Sequence, residues 1–532
     1  MMELAMKKLV QGFKNFGSKL MAWPHIDIAM LSAAILTYAG LAAARIASWS
    51  IWFDEAFTAY ITRFNVAEIA HYTGNDMHPP LYYWLIKGWT SVFGTNEVGF
   101  RSFSLVFAIV TIILGFLLLK KLFSRQAAII GVWLLALSPM LIRFGDEARM
   151  YTMVTAIALG ATYVLVRAMA TNRRKYWITY GLLLVAGMLT HYFIALVWLA
   201  HWVWRYVYLR IDGDRGKKLA KNFFSKSWVW THVLAVGIFA VWLPTAIHQF
   251  SVLQAGFWIP TISADTFTNY LTNILMYLDH NKVESWLALL YFAIVVGSIV
   301  LLYRTYRNIE SKKDRQNILL ISCLAVVPPL ILLLLSMPPL TSSFIDRYLM
   351  TSIVALALLM AIAITHGNKK RWLPIVMTLL ILVSFGIGID RVYYYGNYNK
   401  ISSTSIRTKE LIAAIAEKAK PGEPLIATDP WIFYEAIFYN RDEHPIYFLD
   451  QTTEYIYGSL DMLKDHDQFK IKNLDAFTKQ HEVVWYFGSV GDNEITPPSI
   501  AHGWKQIDSV SIYNSIDDNS SYKAVRFETQ SR

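Results

Sequence analysis

The chain has 532 residues, of which 55% are hydrophobic and only 16% charged, with a formal net charge of +11. Soluble domains are about 45–50% apolar and about 25% charged, and here apolar runs long enough to cross a bilayer recur through residues 26–390, which excludes a soluble globular protein and points to a polytopic α-helical membrane protein. The basic excess sits in short loops between those runs, so it is a signal of topology and not a nucleic-acid-binding face.

Residues 1–25 come first. Lys7, Lys8, Lys14 and Lys19 interleave with Phe13, Phe16 and Trp23, the pattern of a basic amphipathic segment lying on the cytoplasmic membrane surface. No small-residue cleavage pattern follows a short apolar core, so a removed signal peptide is not expected. Residues 26–390 then read as a transmembrane unit of about eleven helices. The first three are expected near 26–48, 100–119 and 127–141. A fourth runs from Tyr151 towards Arg167, a fifth over 177–190, and a sixth from the turn at His191-Tyr192 to Arg205. The rest are expected near 228–247, 285–303, 317–335, 348–365 and 372–389, with Pro328-Pro329 kinking the ninth.

Every second loop is basic: Lys120, Lys121 and Arg125, then Arg167, Arg173, Arg174 and Lys175, then segments 205–226 and 304–315, then Lys369, Lys370 and Arg371. The alternate loops are nearly free of Lys and Arg. The positive-inside rule places the basic set in the cytoplasm. Asp54, Glu55, Asp146, Glu147, Asp346 and Arg347 then face outward across a plasma membrane, together with the tail 391–532. Within the first outer loop, 66–72 is amphipathic, and 81–93, started by Pro79-Pro80, is too short to span.

The tail changes character. After a polar linker over 393–405, helical periodicity over 408–420 is followed by buried-strand patterns at 425–428, 446–449 and 483–487. Residues 509–513 and 522–527 read as antiparallel edge strands. This predicts an extracytoplasmic α/β domain over 391–532, without the Gly-x-Gly-x-x-Gly of a dinucleotide site. The one cysteine, Cys323, lies in an apolar run, so there is neither an intrachain disulfide nor a Cys-based zinc site.

The residues able to carry chemistry cluster in the outer loops. Asp54 and Glu55 follow the first span between aromatic residues, and Asp146 and Glu147 lead into the fourth. An isolated acidic pair at a helix start is ordinarily a cap, and Arg143 stands three and four residues from Asp146 and Glu147, the spacing of an internal ion pair. Two acidic clusters opening on one outer cavity nevertheless suit a transferase, in which a carboxylate deprotonates an acceptor hydroxyl while cations hold a leaving phosphate.

Four segments carry a resemblance. Trp52-Phe53-Asp54-Glu55-Ala56 resembles the first-loop acidic motif of the C-type membrane glycosyltransferases, and His78-Pro79-Pro80-Leu81-Tyr82-Tyr83 the His-Pro-Pro motif that follows it. Asp146-Glu147-Ala148-Arg149-Met150-Tyr151 resembles the second-loop Glu-Ala-Arg-x-Tyr motif, and Arg347-Tyr348 is similar to a further recurrent element. The nearest relatives by this likeness are the protein O-mannosyltransferases and the lipid A aminoarabinose transferases.

The resemblance implies a polyprenyl-phosphate-linked monosaccharide as donor, a hydroxyl acceptor (protein, lipid or envelope glycan) and inversion at the sugar carbon. It implies Asp54 as general base with Glu55 orienting the site, and Arg149 and Arg347 gripping the donor phosphate. His78, Tyr151, His191 and Tyr348 join Asp146 and Glu147 as further substrate-binding candidates. If a divalent cation is used, Asp54, Glu55, Asp146 and Glu147 are its expected ligands. The aromatic loop Phe257-Trp258-Ile259-Pro260 and Asp279-His280 read as belt and solvated loop. The rival readings are a transporter or flippase of lipid-linked sugars, and a non-catalytic envelope assembly protein. A transporter would carry its charges at mid-span, whereas here they stand at the outer ends of spans.

Overall fold

The computed structural model describes residues 25–255, 259–278, 285–366, 372–395, 406–440, 444–449, 461–464, 467–490, 504–513 and 521–529. The basic segment 1–24, Phe257-Trp258, Asp279-His280 and most of the linker expected over 393–405 lie outside the described residues.

Among the described residues seven helices are long and apolar enough to cross a membrane, or up to nine if two bent pairs each count as one span. The expected count of about eleven is therefore not confirmed, because two of the expected spans are shorter than that. The fifth and sixth expected spans are the helices Arg174–Met188 and Ala195–Ile211, of 15 and 17 residues. At about 1.5 Å per residue these are about 22 and 25 Å long, short of a hydrocarbon core of about 30 Å. The third expected span is broken instead. Arg125–Ala136 and Pro139–Gly145 meet at 58°. Pro139 starts the second piece, where its missing N–H costs nothing, and the Ser138 hydroxyl accepts from the Leu141 N–H at 3.4 Å. Lys226–Phe239 and Leu243–Ser251 form the second bent pair, at 71°. Lys312–Leu335 runs as one helix through Pro328 and Pro329.

The loops sort to two ends as the charge alternation requires. At one end Asp27 pairs with Lys120 and Arg125, and the Asn317 amide donates to the Leu122 carbonyl at 2.7 Å. At the other, the first loop meets the remaining acidic and aromatic loops: the Leu81 N–H donates to the Leu189 carbonyl, and the Gln249 amide to the carbonyls of Thr73 and Asp76. That loop folds into three short helices, Phe53–Ile61, Val66–Gly74 and Leu81–Phe93. Asn65 and Glu68 cap the second reciprocally, and the third begins after the Pro pair, as its sequence predicts.

The tail forms a six-stranded sheet: β1 (Leu425–Ala427), β2 (Ile446–Leu449), β3 (Lys470–Ile471), β4 (Val483–Val490), β5 (Lys505–Tyr513) and β6 (Ser521–Glu528). The order is β3-β2-β1-β4-β6-β5, parallel from β3 to β4 and antiparallel beyond. β6 is not the edge strand its sequence suggested. It lies between β4 and β5, with Tyr522, Ala524, Val525 and Phe527 all buried.

The helix Pro430–Tyr439, which follows β1, lies across the helix Phe53–Ile61. Phe53, Phe57 and Tyr60 recur at helical spacing on one face and meet the Tyr434 ring at centroid distances of 5.9, 6.3 and 5.1 Å. The Ile51 N–H donates to the Tyr439 hydroxyl at 2.7 Å, and Lys409 pairs with Glu97 at 2.9 Å. The α/β region is thus seated directly on the first acidic motif.

Candidate active site

The helix Phe53–Ile61 places consecutive residues about 100° apart, so its two carboxylates face different surroundings. Glu55 points inward and is 1% exposed. Its two oxygens accept from Arg101 Nε at 2.8 Å and Nη2 at 2.7 Å, a fork-to-fork pair. Arg101 also donates to the carbonyls of Ile46, Trp49 and Ser50, which fixes the turn between the first span and the loop. The same carboxylate accepts from the Ala148 N–H at 2.9 Å. One buried group therefore ties the first acidic motif to the second.

Asp54 is turned the other way, with its side chain 20% exposed. Arg149 Nε stands 3.7 Å and Arg347 Nη1 3.6 Å from the same oxygen, Oδ2. Arg149 is held by the Tyr83 hydroxyl at 3.2 Å and by the Asp54 carbonyl at 3.3 Å. The Arg347 guanidinium lies 5.5, 5.7 and 5.9 Å from the rings of Trp52, Tyr151 and Tyr348, a three-sided aromatic cage. His191 lies 4.9 Å from Tyr348 and 5.6 Å from His78, ring to ring. Burial pushes both imidazoles below their ordinary range, His191 much further, while Asp76 at 3.4 Å pulls His78 partly back. Both are then neutral at physiological pH. His191 Nδ1 accepts from the Phe193 N–H, so its proton sits on Nε2.

An apolar cavity of about 340 Å³ adjoins this cluster, lined by His78, His191, Phe193, Leu332, Leu335 and Tyr348 among others. Tyr348, one of the rings around Arg347, is part of its wall.

Seven of the ten candidate residues thus come together: Asp54, His78, Arg149, Tyr151, His191, Arg347 and Tyr348. The other three are buried in ion pairs behind them. Glu55 pairs with Arg101, Asp146 with Arg45 at 3.0 Å, and Glu147 with Arg143 at 2.6 Å. The 143–147 pair is the four-residue spacing legible in the sequence. These pairings also bear on a metal. Each of the four carboxylates faces a guanidinium, and among the described residues no three His, Cys, Asp or Glu side chains converge as a cation site. The donor set does not fit a bound divalent ion.

Sequence reasoning passed over Arg45, Arg101 and Tyr83. For Arg101 a signal was present: a lone arginine in Phe100-Arg101-Ser102-Phe103, at the mouth of an apolar span, is costly unless paired.

Residues 77–248 match the family model described as dolichyl-phosphate-mannose-protein mannosyltransferase. That stretch holds His78, the Asp146–Tyr151 motif and His191. No curated protein matches the chain in sequence. Two crystal structures of ArnT from Cupriavidus metallidurans, one apo and one bound to undecaprenyl phosphate, share the fold with a TM-score of 0.56 each. They are 14% and 13% identical, over 94% of this chain and 97% of theirs. The chain is therefore similar to the C-type membrane glycosyltransferases, in fold over nearly its whole length and in sequence over residues 77–248.

Proposed function

We propose that the protein is a membrane glycosyltransferase that moves one monosaccharide from a polyprenyl phosphate to a hydroxyl acceptor, with Asp54 as general base. The observation that carries this reading is the contrast among four carboxylates. Glu55, Asp146 and Glu147 are buried in ion pairs of 2.6–3.0 Å, whereas Asp54 is partly open and stands 3.6–3.7 Å from two guanidiniums. It is the one placed to take a proton from an incoming group.

In the proposed step the acceptor oxygen attacks the anomeric carbon as Asp54 removes its proton. The carbon–oxygen bond to phosphate breaks on the opposite face, so the sugar carbon inverts. The phosphate leaves with the bonding pair, and Arg149 and Arg347 receive the added charge. The apolar cavity beside His191 and Tyr348 takes the first isoprene units. His78 and His191, being neutral, can donate to phosphate oxygens without adding charge. The ArnT structure bound to undecaprenyl phosphate supports a lipid phosphate as the leaving group.

The reading extends to placement. Residues 26–390 would be the catalytic unit and 391–532 an extracytoplasmic domain, in a plasma membrane with the N-terminus in the cytoplasm. The loop charges support it.

The test is transfer of labelled sugar from a polyprenyl-phosphate donor by the purified protein in lipid nanodiscs, with the product anomer read by NMR. Inverted product, lost in Arg149→Ala and Arg347→Ala, is expected. Retained configuration would rule out the single displacement.

A further inference from the structure

The first outer loop, residues 49–98, holds just two Lys or Arg residues, Arg63 and Lys87. Although they are well separated along the loop, both line one groove of about 1020 Å³. That is the upper end of ligand-pocket size, about 300–1,000 Å³. The helix Leu81–Phe93 contributes Trp84, Lys87, Gly88 and Ser91, which recur at helical spacing on one face. Ile437, Phe438 and Asn440, at the end of the helix Pro430–Tyr439, line it from the α/β region. Asp54, Arg149 and Arg347 do not line it, so the groove is separate from the candidate active site.

Its charge is one-sided. Among the described residues no Asp or Glu lines the groove, and Glu97, next to the lining residue Asn96, is taken up by Lys409. Lys87 Nζ donates to the Thr62 carbonyl at 2.7 Å, which brings the ammonium beside the backbone of Arg63. The Arg63 guanidinium lies 5.0 Å from the Tyr60 ring. Neither cation makes an ion pair among the described residues. Like charges held on one surface repel each other, and an anion between them offsets that repulsion.

The setting selects the anion. Beside the groove-lining face the same helix is apolar and open: Leu85, Val92 and Phe93 are 43%, 75% and 56% exposed. Trp89 stacks on Phe93 with ring centroids 4.0 Å apart, and its Nε1 donates to Ser102 Oγ at 3.0 Å, at the start of the span Glu97–Leu122. Exposed apolar side chains at a span end face acyl chains, with Trp at the level of the headgroups. The two cations therefore stand where phosphate and hydrocarbon meet.

We infer that this groove binds an anionic phospholipid, its phosphate between Arg63 and Lys87 and its acyl chains along Leu85, Val92 and Phe93. One side of the groove belongs to the first loop and the other to the α/β region, so the bound lipid joins the two and stabilises their docking. Binding at this groove needs nothing from Asp54.

The experiment titrates the purified full chain, in detergent, with phosphatidylglycerol and separately with phosphatidylcholine, and reads occupancy by native mass spectrometry. One phosphatidylglycerol is expected to bind about tenfold or more tighter than phosphatidylcholine, through charge-assisted contacts to its phosphate, and to raise the melting temperature. Arg63→Gln combined with Lys87→Gln is expected to weaken that site about tenfold or more. Gly88→Leu keeps both cations and fills the space. A Cβ at that lining position meets nothing within 4 Å, and Leu favours the helix over Gly, so the fold is kept and the tight site is expected to be lost. Lys217→Gln combined with Lys218→Gln, in the basic loop at the opposite end, is expected to bind as the parent does. Phosphatidylglycerol binding unchanged in the Arg63/Lys87 variant or in Gly88→Leu overturns the inference, and so does phosphatidylcholine bound equally tightly. Glycerol phosphate displacing the lipid at equal concentration would assign the groove to a soluble anion and overturn it too. If the Arg63/Lys87 variant does not fold, Gly88→Leu decides the matter.

Discussion

Adjacent residues in one motif have separate tasks. Asp54 and Glu55 read alike in the sequence, yet one helical step turns Glu55 onto Arg101 and leaves Asp54 partly exposed beside Arg149 and Arg347. Sequence could name the pair but not divide the work, because the partner that decides it, Arg101, lies 46 residues away. Breaking a buried ion pair from one side costs about 3–5 kcal/mol, since the remaining charge is left without a partner. Arg101→Ala is accordingly expected to abolish or severely lower the thermal stability of the purified protein, whereas Asp54→Ala is expected to lower it less, because Asp54 is 20% exposed and stands 3.6–3.7 Å from its arginines. At Arg347 geometry counts more than charge. A planar guanidinium stacks within the cage of Trp52, Tyr151 and Tyr348, and an ammonium does not. Arg347→Lys should weaken donor binding at least tenfold in a titration with polyprenyl phosphate, despite conserving charge.

At the scale of elements, the second acidic motif is held in place by a break in a helix. The turn at Ser138-Pro139 sends Pro139–Gly145 back at an angle, so that residues 146–150 reach the Asp54 helix. Gly145 makes the close approach possible. A Cβ there would stand 1.8 Å from the Tyr38 hydroxyl, which is fixed by donating to the Leu141 carbonyl. Overpacking of this kind costs about 1–3 kcal/mol. Gly145→Ala is expected to lower the melting temperature and, by shifting Arg149, to reduce kcat more than it raises the donor KM. Uninterrupted apolar runs made the long spans legible. The breaks and the two short helices were less so, because hydropathy alone does not record where an apolar run bends. The helix 81–93 was legible from its Pro pair and its length.

At the scale of the molecule, the alternation of loop charge anticipated which loops share an end, and the contacts of residues 27, 120 and 317 on one side and 54, 149 and 347 on the other agree with it. The docking of the α/β region on the first loop had no signal in the sequence, since it depends on side chains almost 400 residues apart. Absolute orientation can be measured directly. With Cys323→Ala as background, Ser263→Cys is expected to react with a membrane-impermeant maleimide in intact cells, and Lys313→Cys only after permeabilisation. The reverse pattern would invert the membrane topology and place Asp54 in the cytoplasm.

The central claim is that Asp54 is the reacting carboxylate and that its three acidic neighbours are structural. Its most direct test compares Asp54→Asn with the parent in two assays on the same nanodisc sample, polyprenyl-phosphate binding and sugar transfer. Loss of a general base typically costs about 10²–10⁴ in rate. Binding within about threefold of the parent, with transfer lowered by at least about 10², is the expected result. Transfer preserved in Asp54→Asn, in a sample that binds donor normally, would contradict the account.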